Sequence, residues 1–449
     1  MDSREEEAPL VSSPDLESQS QLVRRSHTSD VHILSCSFLL IFLAYGAAQN
    51  LESTVLTVQN LGTTSLGILY VSFTFFSLAA SPMVRSLGSK NAMILGSTGY
   101  WLFIAANLFP SWYTMVPAAL YMGFAASIIW VGQGTYLTST ARSHAEDCKV
   151  HEGTVIGKFN GEFWGMFASH QFVGNLFSLF LLGDEELKHV TCHVHFEIIG
   201  GYSNPDGCGL VVRAMTGLCG LGAQLRKRDV KEEQEPKYVS FYSSVVSLSK
   251  LVTAPLLDTR MLLIIPLIAY SGLQQAFVWA EYTKHIVRPA IGESGVGGAM
   301  AVYGAFDAVC SLAAGRLTSG LPSITLIVSG GALIQTIVLL WILLKYSMVS
   351  GVLGVVYPLV MAAMLGMGDA VFNTQLNALL GLLFRDDTEG AFAQLKVWQS
   401  ATIAVVFFVG PFVSLQAMVL VMIGVLVISM AAFLFLMLHS EKAFSPRTP

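Results

Sequence analysis

Twelve stretches of this sequence are apolar over about the length that a membrane crossing requires, and their recurrence dictates the solvent in which the chain can fold. They lie at 31–55, 63–84, 91–110, 114–138, 160–182, 207–225, 261–283, 293–315, 322–345, 351–375, 390–413 and 415–438. A helix that spans the hydrocarbon layer needs about 20 predominantly apolar residues. Composition agrees: 53% of the residues are hydrophobic, 12% are charged, and mean hydropathy is +0.60. A soluble domain carries about 25% charged residues to cover its surface. The expected class is an all-α membrane protein. The sixth stretch is atypical, being short, Gly-rich and interrupted by Arg213. A charge at mid-membrane costs about 2.5–3.5 kcal/mol on insertion scales.

Loop charge orients these segments, because Lys and Arg gather on the cytosolic side. With the N-terminus inside, Arg213 aside, only Lys188, Lys284, Arg288 and Lys345 of the 25 Lys and Arg fall on the opposite side. The same rule retains the sixth segment, since without it the basic stretch Arg226–Lys237 would lie outside. Both termini are then expected in the cytosol. The hydrophilic stretch 226–260 (beginning RKRDVKEEQEPK) reads as a solvated linker that divides the helices six and six. The expected organisation is a disordered cytosolic tail (1–30), a six-helix bundle (31–225), the linker, a second bundle (261–438) and a short cytosolic tail (439–449).

Other classes are disfavoured. A net charge of −5 gives no reason to expect a nucleic-acid partner. GxxxxGK[ST], HExxH and GxSxG motifs are absent, no catalytic constellation emerges, and neither an enzyme nor a cofactor is expected. The six cysteines are scattered singly, so they imply no disulfide framework. Residues 1–30 carry Glu5, Glu6 and Glu7 and do not resemble a cleavable leader, so the first apolar run is expected to act as an uncleaved anchor. Glu6–Val11 (EEAPLV) approximates an acidic dileucine-type sorting signal, a pattern that also arises by chance.

The two halves repeat each other. Ala44–Gln49 parallels Ala269–Gln274, Ser77–Ala80 recurs as Ser311–Ala314, and Gly132–Thr138 parallels Gly368–Thr374. Gly157, Phe159 and Trp164 are echoed by Gly390, Phe392 and Trp398. Four matches in the same order at nearly constant offset indicate a duplicated unit. Two parallel six-helix repeats are the plan of the major facilitator superfamily, in which a substrate site lies near midplane between the halves.

Specific signatures then narrow the family. Tyr45–Ser53 (YGAAQNLES), Gly123–Thr138 (GFAASIIWVGQGTYLT), Phe159–Trp164 (FNGEFW), Tyr270–Phe277 (YSGLQQAF), Gly366–Gln375 (GMGDAVFNTQ) and Gly390–Ser400 (GAFAQLKVWQS) resemble the uncoordinated-93-like family, most nearly its plant members. The resemblance spans roughly residues 31–440. It implies a major-facilitator-type fold and a role in regulating potassium channels, in potassium homeostasis, or in escorting other membrane proteins. The superfamily's usual G-x-x-x-D-[RK]-x-G-[RK]-[RK] loop between the second and third segments reads SPMVRSLGSK at Ser81–Lys90. Arg85 replaces the acid that helps latch the halves, which sets ordinary alternating access in question. Over 184–225 the resemblance fades.

Polar residues within spanning segments usually face a bundle interior or a wet cavity, because lipid does not satisfy them. Gln49, Asn50 and Glu52 in the first segment and Gln274, Gln275 and Glu281 in the seventh form the largest set, joined by Gln133 in the fourth and Asp307 in the eighth. They fit either a cation-attracting cavity or interhelical hydrogen bonding. Asp369 and Asn373 share a face of the tenth segment, and Asp369 and Lys396 lie at similar depth, so they could pair as a gate or as a structural salt bridge. Glu162 and His170 are candidates for a proton relay or for ordinary packing. His189, Cys192, His193 and His195 match no standard metal spacing, so no metal site is assigned; Cys192 and Cys208 could instead form a disulfide.

Two functions remain open on these grounds. One is a multi-pass protein that regulates or escorts another membrane protein, such as a potassium channel, in the plasma membrane or an endomembrane such as the vacuole. The other is a secondary transporter of a small solute or cation coupled to a proton or ion gradient.

Overall fold

The computed structural model describes residues 27–46, 61–107, 109–182, 256–345 and 352–444. Within them the chain forms α1 (His27–Gly46), α2 (Leu61–Leu87), α3 (Ser89–Ala106), α4 (Trp112–Cys148) and α5 (Glu152–Leu182). After the sequence midpoint come α6 (Thr259–Ile291), α7 (Glu293–Leu317), α8 (Leu321–Lys345), α9 (Val352–Leu383), α10 (Thr388–Val409) and α11 (Leu415–Phe444). Nine helices among the described residues are long and apolar enough to cross a membrane; α3 and α5 pack among them. The sixth apolar segment, residues 226–255 of the linker, the first 26 residues, and Gln49, Asn50 and Glu52 lie outside the described residues.

Helix boundaries follow local chemistry. Ser111 caps α4 by accepting from the Thr114 amide, while the Thr114 hydroxyl accepts from the Ser111 amide. Asp258 and Asp387 cap α6 and α10, accepting from the amides of Arg260 and Gly390. At 37 residues α4 would be about 55 Å long, well beyond the hydrocarbon thickness, so its polar last turns reach past the lipid. Within α6, Phe277–Val287 is wound as a π-helix around the buried Glu281. Such segments recur at functional sites.

Helices α2–α5 pack mainly through α4, which lies against α2, α3 and α5. On the other side α6 lies against α10 and α11, α8 against α9 and α11, and α7 against α9. The two groups meet along α5–α7, α2–α10, α4–α10 and α5–α9. At the α5–α7 seam, Gly161 and Gly315 bring the backbones together, and a side chain at either would strike the other's main chain. The first group is knit by aromatic rings: Phe42 lies 5.0 Å from Tyr100, 5.3 Å from Trp130 and 4.8 Å from Phe167. Those spacings fall in the range where ring pairs attract.

Candidate functional site

Between α6, α7 and α9 a set of polar side chains is sealed from lipid. Asp369 is 3% exposed, and its carboxylate accepts from three side chains: Gln275 Nε2 at 3.1 Å, Asn373 Nδ2 at 3.0 Å and the Tyr303 hydroxyl at 2.5 Å. Gln275 also donates to Asn373 Oδ1 at 3.2 Å. One turn along α7 from Tyr303, Asp307 accepts from Ser311 at 3.1 Å. The amides of Gln274 and Gln335 both donate to the Leu365 carbonyl, at 3.4 and 3.3 Å, which leaves their side-chain oxygens buried and unmatched. A buried carboxylate is tolerable only with such donors around it. Of the candidates named from sequence, Gln275, Asp369 and Asn373 are directly bonded to one another, with Gln274 and Asp307 on the adjoining helices. Glu281 lies apart in the π-helical segment, 3.2 Å from His285.

Asp369 and Lys396 have different partners, so the pair anticipated from their common depth does not form. Lys396 points away from α9 and across the junction between the helix groups. Its Nζ donates to Gln399 Oε1 at 2.9 Å and lies 4.5 Å from the ring centre of Trp130 and 5.9 Å from that of Trp164. Both distances fall within cation–π range. Gln399 in turn donates to Ser271 of α6 at 3.4 Å. Gln133, one turn along α4 from Trp130, is 1% exposed and its amide nitrogen has no partner among the described residues.

Glu162 and His170 are likewise separate. Glu162 faces His32 at 3.7 Å and Lys158 at 3.8 Å. His170 bonds through Nδ1 to the Phe167 carbonyl at 2.5 Å and packs its ring on Phe42 and Phe167. Their eight-residue separation places them on one face but two turns apart, too far for direct transfer. His189, Cys192, His193, His195 and Cys208 fall outside the described residues, among which no group of three or more potential metal ligands occurs.

A charged network at the expected cytosolic end was missed from sequence. Arg85, in the last turn of α2, bonds Asp387 at 2.6 Å and approaches Glu389 at 3.5 Å, both at the start of α10. Arg142 near the end of α4 reaches the Gly381 carbonyl at 2.7 Å, Thr388 Oγ1 at 3.3 Å, the Arg385 carbonyl at 3.4 Å and Glu152 at 3.2 Å. Arg385 pairs with Glu152 from the other group. Arg260 donates to the Leu383 carbonyl at 2.8 Å and lies over the Phe384 ring. The signal is the acidic run Asp386, Asp387 and Glu389 leading into α10, opposite Arg85 at the end of α2. The latch is therefore present with its polarity reversed: the base is on the first group and the acids are on the second.

The family profile for the ion channel regulatory protein UNC-93 matches residues 57–434, most of the chain. The chain belongs to the UNC-93 family. It is 62% identical to UNC93-like protein 3 of Arabidopsis thaliana over 430 residues, covering 94% of this chain and 89% of that protein. It is 29% identical to unc-93 of Caenorhabditis elegans, whose name ties that protein to potassium channel regulation; the match covers 92% of this chain and 61% of the worm protein. In fold, this UNC-93 family chain is similar to the fucose:proton symporter FucP of E. coli, with TM-score 0.61 at 12% identity, over 92% of this chain and 99% of the symporter. The chain thus has a fold of the major-facilitator type, built from apolar helices of membrane-crossing length. The Asp369 cluster, Lys396 and the Arg85 and Arg142 networks all lie within the segment that the UNC-93 profile matches.

Proposed function

We propose that this UNC-93 family chain regulates or escorts another membrane protein, with a potassium channel as the partner class, and so contributes to ion homeostasis. The observation that carries this reading is the match to the ion channel regulatory family over residues 57–434. The reversed latch and the fully bonded Asp369 fit a scaffold that holds one shape against a partner. Catalysis has no role in the reading, which takes both termini to be cytosolic on the distribution of Lys and Arg, with the Arg85 and Arg142 networks on the same side. The test is co-expression with candidate potassium channels, reading whole-cell current, channel level at the surface and co-purification. Unchanged current and surface level with every channel tried would remove the proposal.

A second reading, a secondary transporter driven by a proton or ion gradient, is favoured by one observation. Two buried acids, Asp307 and Asp369, lie on neighbouring helices α7 and α9 near the junction of the two groups. Gradient-dependent uptake into liposomes, reduced by Asp369→Asn, would support it. Uptake that persists in the variant would clear Asp369 of the role.

A further inference from the structure

The ammonium of Lys396 is the group whose surroundings explain it least. It is 5% exposed, and no carboxylate among the described residues pairs with it. Of its three N–H bonds, the one to Gln399 is the only hydrogen bond it makes among those residues. The indole faces of Trp130 and Trp164, stacked at 5.7 Å, offset part of its charge. Two more donors lie on the same helices as these rings and also lack partners among the described residues: the Trp164 Nε1–H, on a residue 4% exposed, and the Gln133 amide, on a residue 1% exposed. Trp130 differs, since its Nε1–H is used by the Tyr100 hydroxyl at 3.2 Å. Among the described residues, α10, α5 and α4 thus contribute a cation and two N–H donors that are buried without a full set of acceptors. Nor is the place fully closed, because Trp130 keeps 8% and Gln399 keeps 7% of their surface open.

We propose that Lys396, the Trp164 N–H and the Gln133 amide form a buried binding site for a small organic monocarboxylate at the junction of α4, α5 and α10. One positive charge matches one negative charge, whereas a dianion would leave net charge buried at high cost. The carboxylate accepts from the ammonium and from the neutral donors, which are all acceptor-seeking groups. The ligand's apolar body lies among aromatic rings, including Phe38 and Phe163, which stand 5.4 Å from Trp130 and 5.5 Å from Trp164 respectively. Aromatic surroundings with a few polar groups are the usual build of a small-molecule site. The site does not depend on whether the chain regulates a partner or moves a solute.

The test is calorimetric titration of the full chain in nanodiscs with benzoate and hexanoate, and with the uncharged benzamide and hexanamide. Saturable binding of a carboxylate is expected, at least tenfold tighter than its amide. Lys396→Met should weaken carboxylate binding at least tenfold, and Trp164→Phe, which keeps an aromatic ring and loses the donor, several-fold. Should the lysine variant fail to fold, the tryptophan variant decides alone. Equal binding of acid and amide, no saturable carboxylate binding, binding of chloride alone, or variants that bind like the parent would each overturn the site.

Discussion

The guanidinium of Arg85 bonds the carboxylate of Asp387 at 2.6 Å, and the same Asp387 carboxylate accepts from the Gly390 amide at 2.8 Å as the N-cap of α10. One side chain therefore serves two purposes: it joins the two helix groups and it starts a helix. The pair is about one-third exposed on each side. An exposed ion pair contributes about 0.2–1 kcal/mol, whereas loss of an N-cap costs about 1 kcal/mol.

Asp387→Ala should therefore lower the melting temperature of the purified protein more than Arg85→Ala does. The swap Arg85→Asp with Asp387→Arg should recover only part of the loss, because the pair returns and the cap does not. A greater loss from Arg85→Ala than from Asp387→Ala would show that the contact of Arg85 with Glu389 outweighs the cap.

Arg142 tests geometry rather than charge. Its planar group meets two carbonyls, a hydroxyl and a carboxylate at once. Lysine keeps the charge but not the fork. Arg142→Lys is expected to destabilise nearly as much as Arg142→Ala, by about 1–3 kcal/mol from unmatched partners. Full retention of stability in the lysine variant, read by thermal unfolding in nanodiscs, would show that charge alone suffices.

Asp369 tests the inner polar cluster. Three donors converge on it, and asparagine would turn one acceptor atom into a donor against them. Asp369→Asn should cost about 1–3 kcal/mol, and Tyr303→Phe a comparable amount through loss of a hydrogen bond to a charged group. Asp307→Asn should cost less, since a single side-chain donor, Ser311, is bonded to it. The order of melting temperatures checks this, and an Asp307 variant that melts lowest would contradict it.

The α5–α7 seam gives the steric prediction. Gly161→Val and Gly315→Val should each cost at least the roughly 1–3 kcal/mol typical of overpacking, with loss of monodisperse protein on size exclusion. Gly330→Ala in α8, where added bulk meets nothing within 4 Å, should be neutral or slightly stabilising. Equal behaviour of the three variants would mean that contact at the seam does not matter.

Hydropathy reveals depth but not direction around a helix axis, and this separates what was legible from what was not. The expected stretches 293–315 and 322–345 fall almost on α7 (Glu293–Leu317) and α8 (Leu321–Lys345). The expected 114–138 stops short of α4, whose last turns, through Arg142 and Asp147, are helical but polar, so an apolar count ends before the helix does. Asp369 and Lys396 were matched by depth, yet they face different neighbours because α9 and α10 present them in different directions. Asp369 and Asn373 could be grouped because an i, i+4 spacing fixes their shared face locally. The Arg85–Asp387 bond was hidden for a different reason: its partners are far apart in sequence, and only the packing of α2 on α10 brings them together.

The glycine contact between α5 and α7 has a mechanical consequence. Two helices held backbone to backbone at Gly161 and Gly315 cannot approach further there, while a turn to either side on α5, Gly157 and Gly165 make room for the side chains of Thr318 and Leu312. Any change in the angle between α5 and α7 therefore has to keep that spacing. The tie between Arg85 and Asp387 joins the same two groups along another pair of helices, α2 and α10, so their relative position is fixed by two separate contacts rather than one.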